Sequence, residues 1–470
     1  MKELWVNHQN KFFIALIALL FGLYTFLLFY HLGVRPYIDW DESIYAQIAR
    51  DALLNNHWFN FEYYGIAWYD KPPLGLWLVS WSFALGGINE FMGRLPSVLA
   101  TIASIILSLR WVYEIRKKYL AVLLTMSAYF VMYPLLIDAY FLNLDTIIGL
   151  PVILSLYAWW KIFIAKNTAE KSKLTWYLVW GVSLGLGVMT KSIVGFFPLV
   201  PILLFSLAHR ELGFLKDKRF WYGVLLSIII IFPWHIYQSL HVGKEFWNKY
   251  LLYHVLNRYS TSLENNGAPF LFFIDQIFYR YREATAIFGG SVILSLYLSW
   301  KDKTIRFLLT SSLIILLIFS SSVTKLASYV AIVLPLFVML AGLVLWQLVV
   351  WIPKNWLKVV VTSVLVVTLA YTGWQFNNFK IVKSESVGLE YDNKKIGLFL
   401  KDFHKELTVY ISDYNYRNLA VAFYADRPVL ALPQNDPKIN AIEAGKQMVL
   451  HTGTQTVLLD PEYIVIYKHH

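Results

Sequence analysis

The sequence has 470 residues, of which 58% are hydrophobic, 17% aromatic and only 15% charged. Because soluble domains carry about 25% charged residues, this composition excludes a water-soluble enzyme, a disordered chain and a disulfide-stapled secreted module, and it predicts a polytopic membrane protein. The chain has no cysteine, so no disulfide, thiolate nucleophile or thiolate metal site can form. The net charge is +11, and the basic excess precedes Lys380, which is typical of loops that face the cytoplasm and anionic lipid.

Apolar runs long enough to cross a bilayer recur along the chain. A helix needs about 20 apolar residues to span the hydrocarbon core. The first run is too long for a signal-peptide core and no cleavage site follows it, so we expect an uncleaved anchor with its N-terminus inside. The eleven predicted spans are 12–33, 95–113, 119–137, 146–164, 174–190, 192–208, 220–240, 284–300, 307–323, 326–350 and 356–376.

The short apolar run 72–87 decides the predicted topology. If it does not cross the membrane, the basic connections between the spans all face the cytoplasm, as the positive-inside rule requires. These connections are 110–118, 161–173, 209–219, 301–306 and 353–358. We therefore expect 72–87 to lie in the outer interface as an amphipathic or re-entrant helix, and the C-terminal tail to lie outside.

The tail from about Lys380 has a different pattern. Short apolar runs alternate there with polar, helix-like stretches, which is typical of a small α/β domain. The predicted architecture is therefore mainly α: a polytopic helical membrane domain over residues 1–379, followed by a small extracytoplasmic α/β domain over residues 380–470.

Ionisable residues cluster at the predicted outer face. Such residues are costly at a membrane boundary, so in an apolar chain they indicate a function. The first cluster holds Asp39, Asp41 and Glu42 at the start of a helical pattern, and capping of that helix explains one acid but not three. The second holds Asp70 and Lys71, just before two prolines that stop a helix from extending backwards. A local ion pair and a phosphate-plus-metal site explain this second cluster equally well.

Two further segments carry isolated charges beside predicted spans. Asp138 and Asp145 would share one face of a continuing helix, although Asp145 also suits a helix N-cap. Lys191 lies between two spans, where snorkelling to the head groups is the simpler explanation. Neither segment is decisive alone.

The last two segments carry paired side chains at helical spacing. His254 and Arg258 are four residues apart, and so are Lys325 and Tyr329, which places each pair on one face of a helix. Single residues of these types are usually packed or interfacial. The convergence of six such segments on one membrane face favours a functional site.

This set of side chains suits transfer of a sugar from a polyprenyl-phosphate carrier. The phosphate needs cations or a metal, the acceptor hydroxyl needs a carboxylate, and the lipid tail needs an apolar groove. Proton-coupled transport would place acids in mid-span, where the predicted spans have almost none. A lipid-linked-sugar transporter or flippase is the alternative function, and a structural scaffold is a third.

The order of motifs along the chain resembles a known family. The sequence carries DE, DKPP, an acid before a span, MTK, PW, a His-x-x-x-Arg motif and a Lys-Leu-x-x-Tyr motif, in that order. This order is similar to that of the bacterial polyprenyl-phosphate-sugar-dependent glycosyltransferases of the protein O-mannosyltransferase/aminoarabinose transferase family, over roughly residues 10–350. The resemblance implies the C-type glycosyltransferase fold in the cytoplasmic membrane. It also implies inverting transfer on the outer face, to a glycolipid, polysaccharide or protein acceptor, with no nucleic acid involved.

The resemblance also implies roles for individual residues. The implied catalytic residues are Asp41, Glu42 and Asp145, with Asp41 as the acceptor-side base. The implied donor-phosphate ligands are Lys71, Lys191, Arg258, Lys325 and Tyr329. The implied metal ligands are Asp70, where the aminoarabinose enzymes have a glutamate, and His254. A divalent metal of unspecified identity is therefore compatible with this set.

Overall fold

The computed structural model describes residues 2–132, 138–164, 170–263, 266–277, 282–382, 387–411, 419–431, 447–452 and 455–468. These residues form a helical membrane domain and, after it, a small α/β domain.

The first half of the membrane domain combines long helices with one large outer loop. Its α-helices are α1 (Lys2–Phe29), α2 (Asp41–Leu54), α3 (Leu74–Gly86), α4 (Glu90–Arg116), α5 (Tyr119–Val131), α6 (Leu144–Phe163), α7 (Glu170–Lys191) and α8 (Leu199–Ala208). The strands β1 (Glu62–Tyr63) and β2 (Ile66–Ala67) form an antiparallel hairpin between α2 and α3. A 3-10 turn, Ser192–Phe196, follows α7.

The second half contains the remaining spans and an irregular helical loop. Its α-helices are α9 (Lys218–His241), α10 (Lys244–Trp247), α11 (Arg258–Ser260), α12 (Phe272–Asp275), α13 (Arg282–Ser299), α14 (Lys303–Ser321), α15 (Leu334–Trp351) and α16 (Asn355–Val382). A π-helix, Asn248–Asn257, joins α10 to α11, and a 3-10 helix, Ala327–Ile332, precedes α15.

Every predicted span contains a helix in the described part of the chain. Seven helices there are long and apolar enough to cross a membrane, and shorter apolar helices occupy the other four predicted runs (119–131, 199–208, 287–299 and 355–371). The predicted polytopic helical fold is therefore confirmed, while the count of eleven spans stays a prediction.

The run 72–87 forms α3, which has 13 residues. At 1.5 Å per residue it is about 20 Å long, which is too short for a hydrocarbon core of about 30 Å. It packs against α2, α4 and α7. Its length agrees with the predicted position in the interface.

Close helix packing brings the segments of the site together. α7 packs against both α6 and α9, and α7 and α9 touch through glycines. A Cβ on Gly181 would lie 2.0 Å from the carbonyl oxygen of Gly223, so only glycine allows the two backbones to approach this closely. α5 packs against α1, α15 and α16 on the other side of the domain.

The tail forms the α/β domain that its pattern predicts. Five strands, β3 (Thr408–Ile411), β4 (Val429–Ala431), β5 (Gln447–His451), β6 (Gln455–Leu459) and β7 (Tyr463–Lys468), form one mixed sheet in the order β4-β3-β7-β6-β5. The helices α17 (Val387–Leu400) and α18 (Leu419–Ala425) pack together. The predicted boundary at Lys380 falls in the last turn of α16, so the elements of the tail itself begin at Val387.

Candidate active site

A cavity of about 290 Å³ collects most of the predicted donor-phosphate ligands. Its lining includes Lys71, Lys191, Arg258 and Tyr329, together with Asp70 and His254. We call it the cationic cavity. Lys71 lies just before Pro72-Pro73, and α3 begins at Leu74, as the two prolines predict. Burial lowers the pKa of Lys71; the charge of Asp70 opposes this shift, and the charges of Arg258 and Lys191 add to it.

Among the described residues, no carboxylate makes a direct ion pair with Lys71, which faces this cavity. Its Nζ donates to the backbone oxygen of Asp70 at 3.2 Å, and the side chain is only 8% exposed. The structure therefore does not support the local Asp70–Lys71 ion pair that the sequence left open. A buried cation that is not paired with a carboxylate is suited to an anionic ligand.

Asp70 instead pairs with His254. The Asp70 Oδ1 and the His254 Nε2 are 2.7 Å apart. Burial opposes ionisation of Asp70, but the hydrogen bond and charge of His254, with Lys71 and Lys249, outweigh it and lower the pKa of Asp70. Burial lowers the pKa of His254, and its hydrogen bond with Asp70 acts in the opposite direction.

The pair fits a divalent ion only in part. The Nδ1 of His254 is buried without a hydrogen-bond partner among the described residues. No group of three histidine or acidic residues that could hold a metal occurs in that part of the chain. One oxygen and one nitrogen ligand are therefore present, and phosphate oxygens and water would have to complete the coordination.

Asp145 holds Lys191 at the edge of the cationic cavity. The Nζ of Lys191 donates to Asp145 Oδ1, and Ser328 donates to Asp145 Oδ2 at 2.8 Å. The predicted N-cap role of Asp145 is wrong, because Asn143 caps α6 by accepting from the Asp145 N–H. The chain from Asp138 does not continue as a helix into Asp145, so the predicted shared helical face is also wrong.

Lys191 also lies over an aromatic ring. Its Nζ is 4.3 Å from the centroid of the Tyr329 ring, a cation–π contact. The next residue, Ser192, has a φ of 53°, in the left-handed region that favours glycine. This turn separates α7 from the 3-10 turn that follows and keeps Lys191 at the cavity.

Asp41 lies in a second, neighbouring cavity of about 450 Å³. Its lining includes Asp39, Trp40, Asp41 and Asp138, and we call it the acidic cavity. Desolvation by the protein around the cavity raises the pKa of Asp41, although the charges of Lys71 and Lys191 act in the opposite direction. These charge interactions place Asp41 near the cationic cavity, with a carboxylate suited to accept a proton.

The simple capping explanation for this acidic cluster fails. Trp40, and neither of the aspartates, occupies the N-cap position of α2, and its own side chain does not cap the helix because an indole offers no acceptor oxygen. Its φ of 72° and ψ of −131° lie in a region that L residues rarely adopt and that occurs mainly at functional sites. The loop is therefore held in an unusual conformation just before Asp41.

Glu42 lines the acidic cavity, but its carboxylate is buried in an ion pair. Its carboxylate accepts from Arg94 Nε and Nη2 at 2.8 and 3.0 Å. It also accepts from the N–H groups of Ile38 and Leu142, each at 2.9 Å. These four hydrogen bonds occupy both carboxylate oxygens, so Glu42 has no free oxygen to bind the hydroxyl of a sugar acceptor. The geometry therefore argues against the predicted catalytic role and favours a positioning role.

Lys325 does not reach the cationic cavity. Its Nζ donates to the backbone oxygens of Ala268, at 2.8 Å, and Ser322. The geometry therefore argues against the predicted donor-phosphate role of Lys325. The segment from Lys325 to Tyr329 is also not α-helical, because Leu326 is extended and a 3-10 helix begins at Ala327.

An apolar groove of about 670 Å³ opens into the cationic cavity. Residues of α7, α8 and α9 line it, and its lining is almost wholly apolar. Ser192, Ile193 and Tyr250 line both the groove and the cationic cavity. An elongated apolar chain in this groove would therefore place a polar end among the cations.

Arg258 lies between the cationic cavity and the acidic cavity. It is the one described residue that lines both of them. The π-helix before it changes the turn of the chain, and such wide helical turns often occur at functional sites. His254 and Arg258 therefore reach the same cavity as predicted, although from a π-helix and a short α-helix instead of one regular helix.

Sequence reasoning missed several residues that build this site. Arg94 pairs with Glu42, Ser328 holds Asp145, and Asn143 caps α6. Arg94 carried a usable signal, because an arginine on the predicted outer face runs against the positive-inside rule. Ser328 and Asn143 carried none, since short polar residues of these types occur throughout membrane loops.

A family model and two solved structures are similar to this chain. Residues 70–237 match the family model described as dolichyl-phosphate-mannose-protein mannosyltransferase. The crystal structure of ArnT from Cupriavidus metallidurans bound to undecaprenyl phosphate is similar with a TM-score of 0.76 and 18% identity, over 90% of this chain and 87% of that one. Archaeal oligosaccharyltransferase AglB from Archaeoglobus fulgidus is similar with a TM-score of 0.61 and 12% identity, over 90% of this chain and 65% of that one. The chain has the C-type glycosyltransferase fold.

Two relatives are similar in sequence to part of the chain. An undecaprenyl phosphate-alpha-4-amino-4-deoxy-L-arabinose arabinosyl transferase of Pseudomonas fluorescens is 32% identical over 66% of this chain and 52% of its own length. One of Aeromonas hydrophila is 27% identical over 68% and 57%. The chain spans about half the length of these relatives. The chain is similar in sequence and fold to members of the protein O-mannosyltransferase/aminoarabinose transferase family, as its motifs predict.

Proposed function

We propose that this protein is an inverting membrane glycosyltransferase that moves a sugar from a polyprenyl-phosphate donor to a hydroxyl-bearing acceptor. The observation that carries the proposal is the continuity of the three cavities. The apolar groove shares lining residues with the cationic cavity, and Arg258 is the one described residue that lines both the cationic and the acidic cavity. A lipid, its phosphate and an acceptor would lie in that order.

The cationic cavity would hold the phosphate of the donor. Lys71, Lys191 and Arg258 bring three positive charges to it, and Tyr329 supports Lys191 through its ring. Cations neutralise the charge that grows on the phosphate as the bond to the sugar breaks. Asp145 would act as a positioning residue here, because it orients Lys191 and competes for its charge until the phosphate binds.

Asp41 would be the acceptor-side base. Its carboxylate is exposed to the acidic cavity, and a raised pKa makes it a stronger proton acceptor. The proton of the acceptor hydroxyl passes to Asp41 while the oxygen attacks the sugar carbon, and the lipid phosphate leaves on the opposite side. Attack from that side inverts the configuration at the carbon.

A divalent ion would be held by Asp70 and His254. Their single oxygen and single nitrogen would place it beside the donor phosphate, where an ion supplies further positive charge. The chain's own residues perform the remaining steps: Asp41 takes the proton, and the three cations bind the phosphate.

The proposed localisation is the cytoplasmic membrane, with the site and the C-terminal domain on its outer face. The positive-inside rule supports this orientation, because the basic connections lie at the ends of the spans away from the site. The N-terminus would then face the cytoplasm. The likeness to proteins that use undecaprenyl phosphate supports a bacterial lipid carrier as the donor.

A reconstituted assay tests the proposal. The purified full chain is incubated with a polyprenyl-phosphate-linked sugar and candidate glycolipid, polysaccharide or peptide acceptors, and the release of free polyprenyl phosphate is measured. Release with the native chain, none with Asp41→Asn and normal release with Asp402→Asn would support it. Asp402→Asn is the control, because it makes the same chemical change at an exposed residue of the tail.

The assay also separates the alternative function. In proteoliposomes, movement of the donor across the bilayer without release of polyprenyl phosphate would overturn the proposal in favour of a transporter or flippase.

A further inference from the structure

A second polar cavity lies at the far end of two helices that leave the candidate active site. α4 has 27 residues and α6 has 20, so they are about 40 and 30 Å long. α4 carries Arg94, which pairs with Glu42, and α6 carries Asp145. The last turns of both helices line a cavity of about 550 Å³ with the loop before α14. We call it the basal cavity. It is separated from the active site by the thickness of the membrane domain.

The basal cavity has an excess of positive charge. Five cations and two acids line it: Arg116, Lys117, Lys161, Lys301 and Lys303, with Glu114 and Asp302. Arg116 pairs with Asp302 at 2.7 Å, Lys161 with Glu114 at 3.1 Å and Lys303 with Glu211 at 2.6 Å. Among the described residues, Lys117 and Lys301 have no acidic partner, so their charges are available to a ligand.

Arg116 provides an independent sign of a missing anion. Its guanidinium lies 5.0 Å from the ring of Trp346, and its Nε is buried without a hydrogen-bond partner among the described residues. An unsatisfied buried donor is costly, and most so on a charged group. Phosphate oxygens are the acceptors that guanidinium groups bind best.

The surroundings place the basal cavity at the depth of lipid head groups. Trp300, next to Lys301, is 84% exposed, and Tyr297 is 54% exposed. Exposed aromatic side chains of this kind mark the membrane–water interface. Basic pockets between helices at this depth suit the head groups of anionic lipids.

We propose that the basal cavity binds the phosphate of an anionic ligand, with Lys117, Lys301 and Arg116 as its contacts. An anionic phospholipid of the same leaflet and a free phosphate share this chemistry, and the aromatic rim favours the lipid. This site is distinct from the proposed donor site and does not depend on transfer activity.

Native mass spectrometry of the full chain tests this site. The detergent-solubilised protein is incubated with phosphatidylglycerol, with phosphatidylcholine or with inorganic phosphate. The detergent is then removed in the mass spectrometer, and the molecules that stay bound are counted. The test variant is Lys117→Gln with Lys301→Gln. The control, Lys216→Gln with Lys218→Gln, removes the same charge from exposed lysines outside the cavity.

The expected result is selective loss of phosphatidylglycerol in the test variant. Each lysine near an anionic head group contributes on the order of fivefold in affinity, so the double variant should bind it roughly 25-fold more weakly than the control. Selective loss of inorganic phosphate instead would also support the site and assign it to a free anion. Equal binding by test and control variants, or equal retention of phosphatidylcholine and phosphatidylglycerol by the native chain without any phosphate binding, would overturn the proposal.

Discussion

Glu42→Gln tests whether the second acid of the DE motif serves chemistry or architecture. The Glu42 carboxylate accepts four hydrogen bonds, two of them from Arg94, and both side chains of the pair are 1% exposed. Glutamine keeps one acceptor oxygen but turns an N–H₂ group towards donors. It also leaves the Arg94 charge buried without its counter-charge.

The expected cost follows from this geometry. Removing one partner of a buried ion pair costs about 3–5 kcal/mol. Arg94 also donates to the backbone oxygens of Leu32, Arg35 and Pro36, so its displacement would loosen the loop that carries Asp41. Glu42→Gln should therefore lose stability and transfer activity together.

Two measurements on purified protein separate the roles. The unfolding midpoint and the rate of polyprenyl phosphate release are compared for Glu42→Gln, and for Asp41→Asn as the neighbouring control. We expect Asp41→Asn to keep the native midpoint and lose transfer, whereas Glu42→Gln lowers both. A Glu42→Gln variant with the native midpoint and no transfer would refute the positioning role and restore the catalytic one.

Three further outcomes follow from the charges of the site. Asp41→Asn should lower kcat by about 10²–10⁴-fold, the range for a general base. In the native protein, kcat/KM should fall as pH decreases through the raised pKa of Asp41, because the protonated carboxyl cannot accept a proton. A fall in kcat/KM that begins only within the usual aspartate pKa range would contradict this. Lys71→Gln should raise the KM for the donor. In the native protein, donor affinity should fall as pH rises through the lowered pKa of Lys71, because the neutral amine loses its attraction for phosphate. Donor affinity that stays constant up to the usual lysine pKa range would count against this role. His254→Ala should abolish any stimulation by divalent ions in a chelator titration, and stimulation equal to the native level would remove His254 from the metal site.

The sequence predicts the features that depend on local pattern. Apolar runs of bilayer length predict the seven long apolar helices among the described residues, and two prolines precede the start of α3. Lys71, Lys191 and Arg258 also converge on one cavity as their shared membrane face predicts. The position of a helix in the membrane depends on the average hydrophobicity and charge of a continuous segment, so it can be predicted from that segment alone.

The direction of each side chain cannot be read in this way. Glu42 and Asp41 are adjacent, yet one meets an arginine 52 positions away and the other faces open space. Lys325 has the residue type of a phosphate ligand, but backbone carbonyls take its hydrogen bonds. These differences arise from tertiary partners that no local spacing specifies.

The attachment of the tail to Asp39 has a consequence for how ligand binding could be observed. The carboxylate of Asp39 accepts from the Ala420 N–H at 2.8 Å and from Asn393 Nδ2 at 3.3 Å, and Asp39 also lines the acidic cavity. Any molecule that orders the Asp39 loop must also steady the first turn of α18. Amide hydrogen exchange at that turn would then slow when an acceptor binds, so the tail would report on binding in the acidic cavity.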